Sequence, residues 1–204
     1  SSLNTNQAIY FHRVGTPQSA DELVYSTPDR PELGHFADVT ADNRWMVIST
    51  SRGTDAKYEL HVIPLVGQRI GGAAPAKGKG GKRSWQVHAL VAGLDHEWRL
   101  VEGLGDTLYF ATNKNAPKLK VVKVDLTARQ AAPAPLRGEQ FAFTEVIPER
   151  AETLDRAQIV GNRLILSYLR DAASTAEVVS LDGKPVRQIV LNAIGKASGF
   201  TGRP

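Results

Sequence analysis

The stretch that decides the fold runs from residue 10 to residue 65 and reads YFHRVGTPQSADELVYSTPDRPELGHFADVTADNRWMVISTSRGTDAKYELHVIPL. Short β-prone runs alternate there with Gly, Pro, Asp, Asn and Ser, which end strands because they favour turns or bond to turn amides. Asp42 and Asn43 form one predicted turn, since Asn tolerates positive φ. The pattern predicts antiparallel strands at residues 9–14, 23–25, 36–40, 44–51 and 58–65.

The same pattern continues outward to residue 191. Further strands are predicted at residues 85–91, 98–102, 107–112, 119–125, 141–146, 154–160, 163–169, 176–181 and 186–191. Residues 149–159 are ambiguous between one helical turn and the entry to a strand. Turn residues Asn43, Gly105 and Asn162 recur at intervals of about sixty residues. Repeated units of four short strands indicate a β-propeller rather than one closed barrel.

Charge and composition exclude several classes of protein. The 204 residues carry a formal charge of +4, but much of the excess lies in one glycine-rich loop, at Lys77, Lys79, Lys82 and Arg83. No aromatic pair interleaves with these charges as a stacking platform for bases would require. We therefore expect a solvated basic loop and no nucleic-acid partner.

The chain has no cysteine, so disulfides and thiolate metal sites are excluded. No apolar run approaches the ~18–20 residues that span a bilayer. We expect a soluble protein of the cytoplasm or of a bacterial-type periplasm, with no membrane partner.

Several ordered motifs resemble the β-propeller of the prolyl oligopeptidase family. They are His12-Arg13-x-Gly-Thr-Pro-Gln-Ser-x-Asp-x-Leu-Val-Tyr25, Pro28-Asp-x-Pro31, Thr40-x-Asp-x-Arg-Trp45 and Gly53-Thr-Asp55. Two later segments, beginning at Tyr109-Phe110 and at Leu166-Ser167, resemble the next two blades. The resemblance covers nearly the whole chain.

The resemblance implies an all-β chain that forms a β-propeller fragment, about half of a seven-bladed propeller with four-stranded antiparallel blades. Residues 1–27 would be the outer strands of one blade, residues 28–94, 95–147 and 148–193 three blades, and residues 194–204 the start of the next. In this family the propeller caps an α/β-hydrolase domain and filters substrates by size. The implied partners are that catalytic domain and short proline-containing peptides, which the parent serine peptidase would cleave after proline.

The chain itself shows no catalytic machinery. A serine nucleophile on a hydrolase elbow needs Gly-x-Ser-x-Gly, and this motif does not occur. A phosphate-binding loop fails because Gly81-Lys82 is followed by Arg83. The five histidines are dispersed, so we predict no catalytic residue, no metal site and no cofactor. The three tryptophans are interpreted as core residues between blades.

The resemblance also implies three substrate-pocket or gating residues: Gly34, Arg52 and Thr54. They match the loops after Pro31 and after Ser51, which approach the third substrate residue on the amino side of the cleaved bond. Gly34 stands where larger side chains occur in some family members, so we expect a wider pocket. The chain departs from the family pattern in two nearby places, at Asn43, where Gly is usual, and at Tyr58, where Asn is usual.

Other interpretations remain open at this point. A stand-alone propeller that binds a peptide or protein partner is the alternative from another functional class. Open blade edges would template association, so a homodimer of such fragments is a further hypothesis. The propeller of a basic-residue-specific relative shares the motif after His12, although the motifs beginning at Pro28 and Gly53 favour the prolyl branch.

Overall fold

The computed structural model describes residues 5–65, 85–128, 138–170 and 173–189. Those residues form fifteen β-strands and a single 3₁₀ turn at Gln18–Ala20, with no α-helix among them. The strands make four antiparallel sheets. The all-β prediction is confirmed. None of the described segments is a helix long and apolar enough to cross a bilayer.

The chain folds into two compact units. Unit 1 comprises Ser1–Asp95 and Thr127–Phe141. Its smaller sheet has two strands, β1 (Ala8–Phe11) and β2 (Glu22–Ser26). Its larger sheet has five strands in the order β10-β6-β5-β4-β3, formed by β3 (Leu33–Val39), β4 (Trp45–Arg52), β5 (Glu59–Pro64), β6 (His88–Ala92) and β10 (Gly138–Glu139).

Unit 2 comprises His96–Leu126 and Ala142–Pro204 and contains two four-stranded sheets. One has the order β11-β9-β8-β7, with β7 (Trp98–Leu104), β8 (Thr107–Thr112), β9 (Lys120–Asp125) and β11 (Phe143–Ile147). The other runs in chain order through β12 (Thr153–Val160), β13 (Arg163–Arg170), β14 (Ala173–Ser180) and β15 (Pro185–Ile189).

The tight turns lie where the sequence places them. Asn43 has φ 57°, and Gly161 and Asn162 both have positive φ between β12 and β13. Two consecutive left-handed residues match the right-handed twist of a two-residue hairpin. Asp42 Oδ1 accepts hydrogen bonds from Thr40 Oγ1 at 2.6 Å and from Arg44 N at 3.1 Å, which fixes the turn before β4.

Buried apolar side chains form a core in each unit. In unit 1, Val24 from β2 packs with Ile48 and Ile63 from β4 and β5. In unit 2, a larger cluster joins the two sheets and includes Tyr109, Ala111, Val121, Ile147, Leu154, Leu164, Leu166, Tyr168 and Val179. Trp45 and Trp98 are almost completely buried, which confirms them as core residues.

Several features of the sheets differ from the sequence-based prediction, and β6, for example, begins at His88 rather than at residue 85. Strand β3 begins at Leu33, three residues earlier than predicted, because Leu33 is buried and pairs with Arg52 while Gly34 pairs with Ser51. The two-residue strand β10, which no local pattern predicts, pairs outside β6 through Gly138 and Ala92. The ambiguous stretch 149–159 contains no helical turn: residues 149–152 are irregular and β12 begins at Thr153. The basic loop and residues 194–204 lie outside the described residues.

Candidate functional site

The three residues assigned by resemblance lie at one end of the larger sheet in unit 1. Gly34 is the second residue of β3, and Arg52 is the last residue of β4. Leu33 pairs with Arg52 and Gly34 with Ser51, so Gly34 and Arg52 are diagonal neighbours on adjoining strands, on opposite faces of the sheet. Thr54 follows in the turn after Gly53 and is exposed. We call this group, together with Gln7 and Glu32, the β3–β4 rim.

Gly34 faces the side chain of Gln7. A Cβ atom at position 34 would lie 3.0 Å from Gln7 Oε1, which in turn accepts a hydrogen bond from His35 N at 3.3 Å. The lead-in segment is held in place by the bond from Asn6 N to Pro31 O at 2.8 Å. The space left by the missing side chain is therefore bounded by a polar amide, which the sequence did not reveal.

Arg52 forms an ion pair with an acidic neighbour. Its Nη2 lies 3.3 Å from Glu32 Oε1, and both side chains are largely exposed. Asp55 N donates to Arg52 O at 3.0 Å and closes the turn that carries Thr54. The rim therefore presents the guanidinium of Arg52 on its long side chain, the carboxylate of Glu32 and the hydroxyl of Thr54. These groups can bind the polar atoms of a peptide but cannot by themselves cleave one.

A partly buried ion pair, Arg30–Glu59, lies in the same sheet region as the β3–β4 rim. Arg30 donates from Nη1 to Glu59 Oε1 at 2.8 Å and from Nη2 to Oε2 at 3.0 Å. Glu59 also accepts from Gly93 N at 3.2 Å. The pair joins the segment between β2 and β3 to the first residue of β5. It therefore anchors the segment that leads into Gly34.

Aromatic and imidazole rings pack beside this ion pair. The ring of Tyr25 lies 5.0 Å from that of His35 and 4.9 Å from that of His61. His35 Nδ1 lies 2.9 Å from Thr50 Oγ1, and its Nε2 lies 3.2 Å from Thr27 Oγ1. Both ring nitrogens of His35 thus have hydroxyl partners, so this histidine is positioned as a structural residue.

The electrostatics of this cluster follow from burial. Burial lowers the pKa of His61 to about 4, and burial followed by the Arg30 charge lowers the pKa of His35. Burial opposes ionisation of Glu59, but the Arg30 hydrogen bonds and charge outweigh it and hold the pKa of Glu59 below its usual range. Burial also raises the pKa of Tyr25. At neutral pH the cluster contains neutral histidines around one ion pair.

No metal centre is formed by the described residues, since no three His, Asp or Glu side chains there come together as ligands. No sequence pattern predicted that Gln7, Glu32 and the Arg30–Glu59 pair would lie at this site. Arg30 lies within the Pro-Asp-Arg-Pro motif, and a cationic residue between two prolines is a signal that could have suggested a fixed anchor. Glu59 carries no such local signal.

The comparison with protein families agrees with this architecture. The model of the prolyl oligopeptidase N-terminal β-propeller domain matches residues 1–204. The chain belongs to this family. Its sheets are therefore blades of a propeller of the prolyl oligopeptidase type, as the motif resemblance predicted.

Curated relatives carry matching names. The chain is 30% identical to the prolyl endopeptidase of Elizabethkingia miricola over 202 residues, which is 99% of this chain and 25% of that protein. It is 28% identical to prolyl oligopeptidase A of Amanita bisporigera over 92% of this chain and 22% of that protein. The chain thus spans about a quarter of the length of the curated relatives it matches.

Solved structures match over the same extent. A structure from a structural and mechanistic study of two prolyl endopeptidases is 40% identical, with a TM-score of 0.80 over 99% of this chain and 26% of that one. Prolyl oligopeptidase B from Galerina marginata, in its apo form, is 22% identical with a TM-score of 0.76 over 95% of this chain and 25% of its own. The second match supports the fold alone.

Proposed function

We propose that this chain is the gating and substrate-filtering portion of the propeller of a serine oligopeptidase that cleaves short peptides after proline. The observation that carries the proposal is the family match over all 204 residues. The names of the relatives indicate the expected reaction. This chain covers about a quarter of their length, and the family resemblance implies that the remainder includes the expected partner, an α/β-hydrolase catalytic domain. The chain contributes access control and peptide contacts, while the catalytic domain contributes the nucleophile.

The β3–β4 rim is the proposed peptide-contact site. Its support is that Gly34 and Arg52 are diagonal neighbours at the same end of the sheet, and that Arg52 and Thr54 are exposed. Gly34 carries no side chain of its own, so a bulky third substrate residue before the cleaved bond can approach it once the flexible side chain of Gln7, which borders that space, moves aside. Arg52 can bind a peptide carbonyl or carboxylate through its guanidinium group.

The rim is tested by Gly34→Met in the full-length protein. Gly34 has ordinary strand geometry, and Gln7 Oε1, the nearest atom to an added Cβ, ends a flexible exposed side chain. The fold should therefore tolerate the change. We expect kcat/KM to fall about tenfold for peptides with a bulky third residue, because filling a pocket costs about 1–3 kcal/mol of transition-state binding. Peptides with glycine at that position should be little affected.

Val14→Met is the matched control, because Val14 is 94% exposed and lies in the hairpin loop outside the rim. It should leave both substrates unchanged. An equal loss for bulky and small third residues in Gly34→Met would contradict the assignment of the rim. Absence of proline-specific cleavage by the unaltered full-length protein would contradict the proposed function as a whole.

A further inference from the structure

Strand β3 is an open edge of the larger sheet in unit 1. Among the described strands it pairs with β4 and with no strand on its other side. Its last four residues, Phe36, Ala37, Asp38 and Val39, are all exposed, with Phe36 at 61% and Val39 at 48%. An exposed edge strand that carries apolar side chains is a template for pairing with another chain.

The register shows which main-chain groups of β3 face this open edge. Thr40 N donates to Trp45 O at 2.9 Å, so position 40 forms a hydrogen-bonded pair with the start of β4. Hydrogen-bonded and non-hydrogen-bonded pairs alternate along a regular antiparallel ladder, so the even-numbered residues of β3 bond to β4. The N–H and C=O groups of His35, Ala37 and Val39 therefore point toward the open edge.

One of these outward groups already binds an amide. His35 N donates to Gln7 Oε1 at 3.3 Å. The carboxamide oxygen of Gln7 therefore takes the place that a main-chain carbonyl of an added strand would fill. Within the described residues, the outward N–H groups of Ala37 and Val39 have no such partner. The edge thus offers further positions of the same kind to a peptide backbone.

Strand β3 lacks the irregularities that protect the other sheet edges. Its register with β4 is regular over seven residue pairs. Every other edge strand of the described sheets either has two residues, as β10 does, or pairs through a shifted register, as β1, β2, β7, β11, β12 and β15 do. Bulges and very short strands stop an edge from pairing with another chain. Of these edges, β3 is therefore the one best suited to accept an added strand.

The side chains along the edge select the partner. Phe36 and Asp38 lie on one face of β3, and Ala37 and Val39 lie on the other. Opposite charges across a strand pair stabilise it, whereas like charges destabilise it. A second copy of this chain, paired edge to edge, would bring two Asp38 carboxylates into one short ladder. A cationic peptide would instead place a positive charge beside Asp38.

We propose that residues 36–39 of β3 bind an extended cationic peptide as an added antiparallel strand. Antiparallel pairing is the more stable arrangement per residue. The peptide exchanges main-chain hydrogen bonds with Ala37 and Val39, and places a lysine or arginine beside Asp38. The four exposed residues span about 14 Å, which matches a peptide of about five residues.

The probe is the peptide acetyl-Val-Lys-Val-Lys-Val-amide, titrated into the full-length protein by calorimetry. It contains no proline, so its binding is independent of whether the protein cleaves after proline. We expect saturable binding that is at least about fivefold tighter than that of acetyl-Val-Glu-Val-Glu-Val-amide, because Asp38 attracts the first peptide and repels the second. Equal affinities for the two peptides would overturn the proposal.

Methylation of the peptide nitrogens tests whether its backbone pairs with the edge. Directly opposite residues of an antiparallel pair share a face, so the valines lie opposite Ala37 and Val39 and exchange hydrogen bonds with them. N-methylation of the central valine should weaken binding about tenfold, because it removes a donor and obstructs the ladder. N-methylation of a lysine is the matched control and should have little effect. Equal losses for the two methylated peptides would overturn the proposal.

Asp38→Lys tests the charge on the protein side. This variant should bind the glutamate peptide more tightly than the lysine peptide, because the charge beside the added strand is reversed. Asp29→Lys is the matched control, since Asp29 is also exposed in unit 1 but lies in the turn before β3. It should keep the preference for the lysine peptide. The same preference in Asp38→Lys would overturn the proposal.

Hydrogen exchange of the main-chain amides locates the bound peptide. The amides of Phe36 and Asp38 bond to β4 and serve as the reference, whereas those of Ala37 and Val39 face the open edge. Peptide at about ten times its Kd should slow exchange at Ala37 and Val39 about tenfold. Unchanged exchange at these two amides would overturn the proposal. So would a dimer of the unaltered protein that protects them without peptide, because a second copy would then occupy the edge.

Discussion

At the scale of single residues, the Arg30–Glu59 pair is the contact that fixes the approach to the β3–β4 rim. The bidentate geometry uses both guanidinium nitrogens and both carboxylate oxygens, and Glu59 is only 7% exposed. Removing one member of such a pair destabilises the fold, because the other member is left as a charge without a partner. The segment leading into Gly34 depends on it.

Glu59→Gln should therefore lower the free energy of unfolding by about 2 kcal/mol, less than for a fully buried pair because Arg30 is partly exposed. The amide keeps the size of the side chain but removes the charge that balances Arg30. The midpoint of urea-induced unfolding, followed by tryptophan fluorescence, measures the loss.

Glu32→Gln is the matched control, since the Glu32–Arg52 pair is exposed on both sides. Its effect should stay within about 0.5 kcal/mol. Equal destabilisation by the two variants would show that the Arg30–Glu59 pair contributes no more to the free energy of unfolding than the exposed pair.

His61 gives the protein a predictable response to acid. Its pKa is about 4 in the folded chain, against 6.5 for a free histidine. The unfolded chain therefore binds more protons between these values, so stability falls as the pH drops from about 6.5 to about 4. The contribution of His61 has an upper limit of about 3 kcal/mol.

His61→Asn should flatten the pH dependence of the unfolding midpoint across that window. His35 contributes in the same direction, so the slope should be reduced rather than abolished. An unchanged slope in His61→Asn would contradict the buried, neutral state of this histidine.

At the scale of elements, the turn between β14 and β15 has no room for a side chain. Gly183 has φ +85°, and a Cβ there would lie 2.2 Å from the carbonyl oxygen of Val146, which is backbone in β11 and cannot move cheaply. Gly161 also has positive φ, at +52°, but faces open space. Comparing substitutions at the two glycines therefore separates the cost of a steric clash from the cost of a left-handed backbone conformation.

Gly183→Ala should cost at least about 3 kcal/mol of unfolding free energy, whereas Gly161→Ala should cost about 1 kcal/mol, the penalty for a left-handed non-glycine residue. Thermal unfolding of the two variants measures the difference. Equal shifts in melting temperature would show that the close approach of Gly183 to β11 is relaxed in solution.

The elements also show what the sequence could reveal. Turns such as the one at Gly161 and Asn162 were predictable because their signal is local. Strand β10 was not, because its pairing with β6 joins segments about fifty residues apart and contains only two residues. The start of β3 was missed because glycine is a poor strand former, although pairing with Ser51 overrides that tendency.

The candidate site follows the same rule. Gly34, Arg52 and Thr54 came from a motif resemblance, which locates positions but not their neighbours. Gln7 lies twenty-eight residues from His35, whose N–H it binds, and no local pattern links them. Tertiary contacts of this kind become visible only when the strand register is known.

At the scale of the whole molecule, the family membership supports the proposed role of these sheets in access control. Propeller blades of this family form part of a longer protein, and this chain spans about a quarter of its relatives. The proposed function assigns peptide contact and filtering to the β3–β4 rim and cleavage to a partner domain.

The most direct test of this account compares two substrates of the full-length protein. One is a short chromogenic Gly-Pro peptide, and the other is an unfolded polypeptide of protein size that carries the same cleavable sequence. We predict proline-specific cleavage with a kcat/KM at least about a hundredfold higher for the short peptide, a difference of roughly 3 kcal/mol in activation free energy. Equal kcat/KM values for the two substrates would contradict the filtering role.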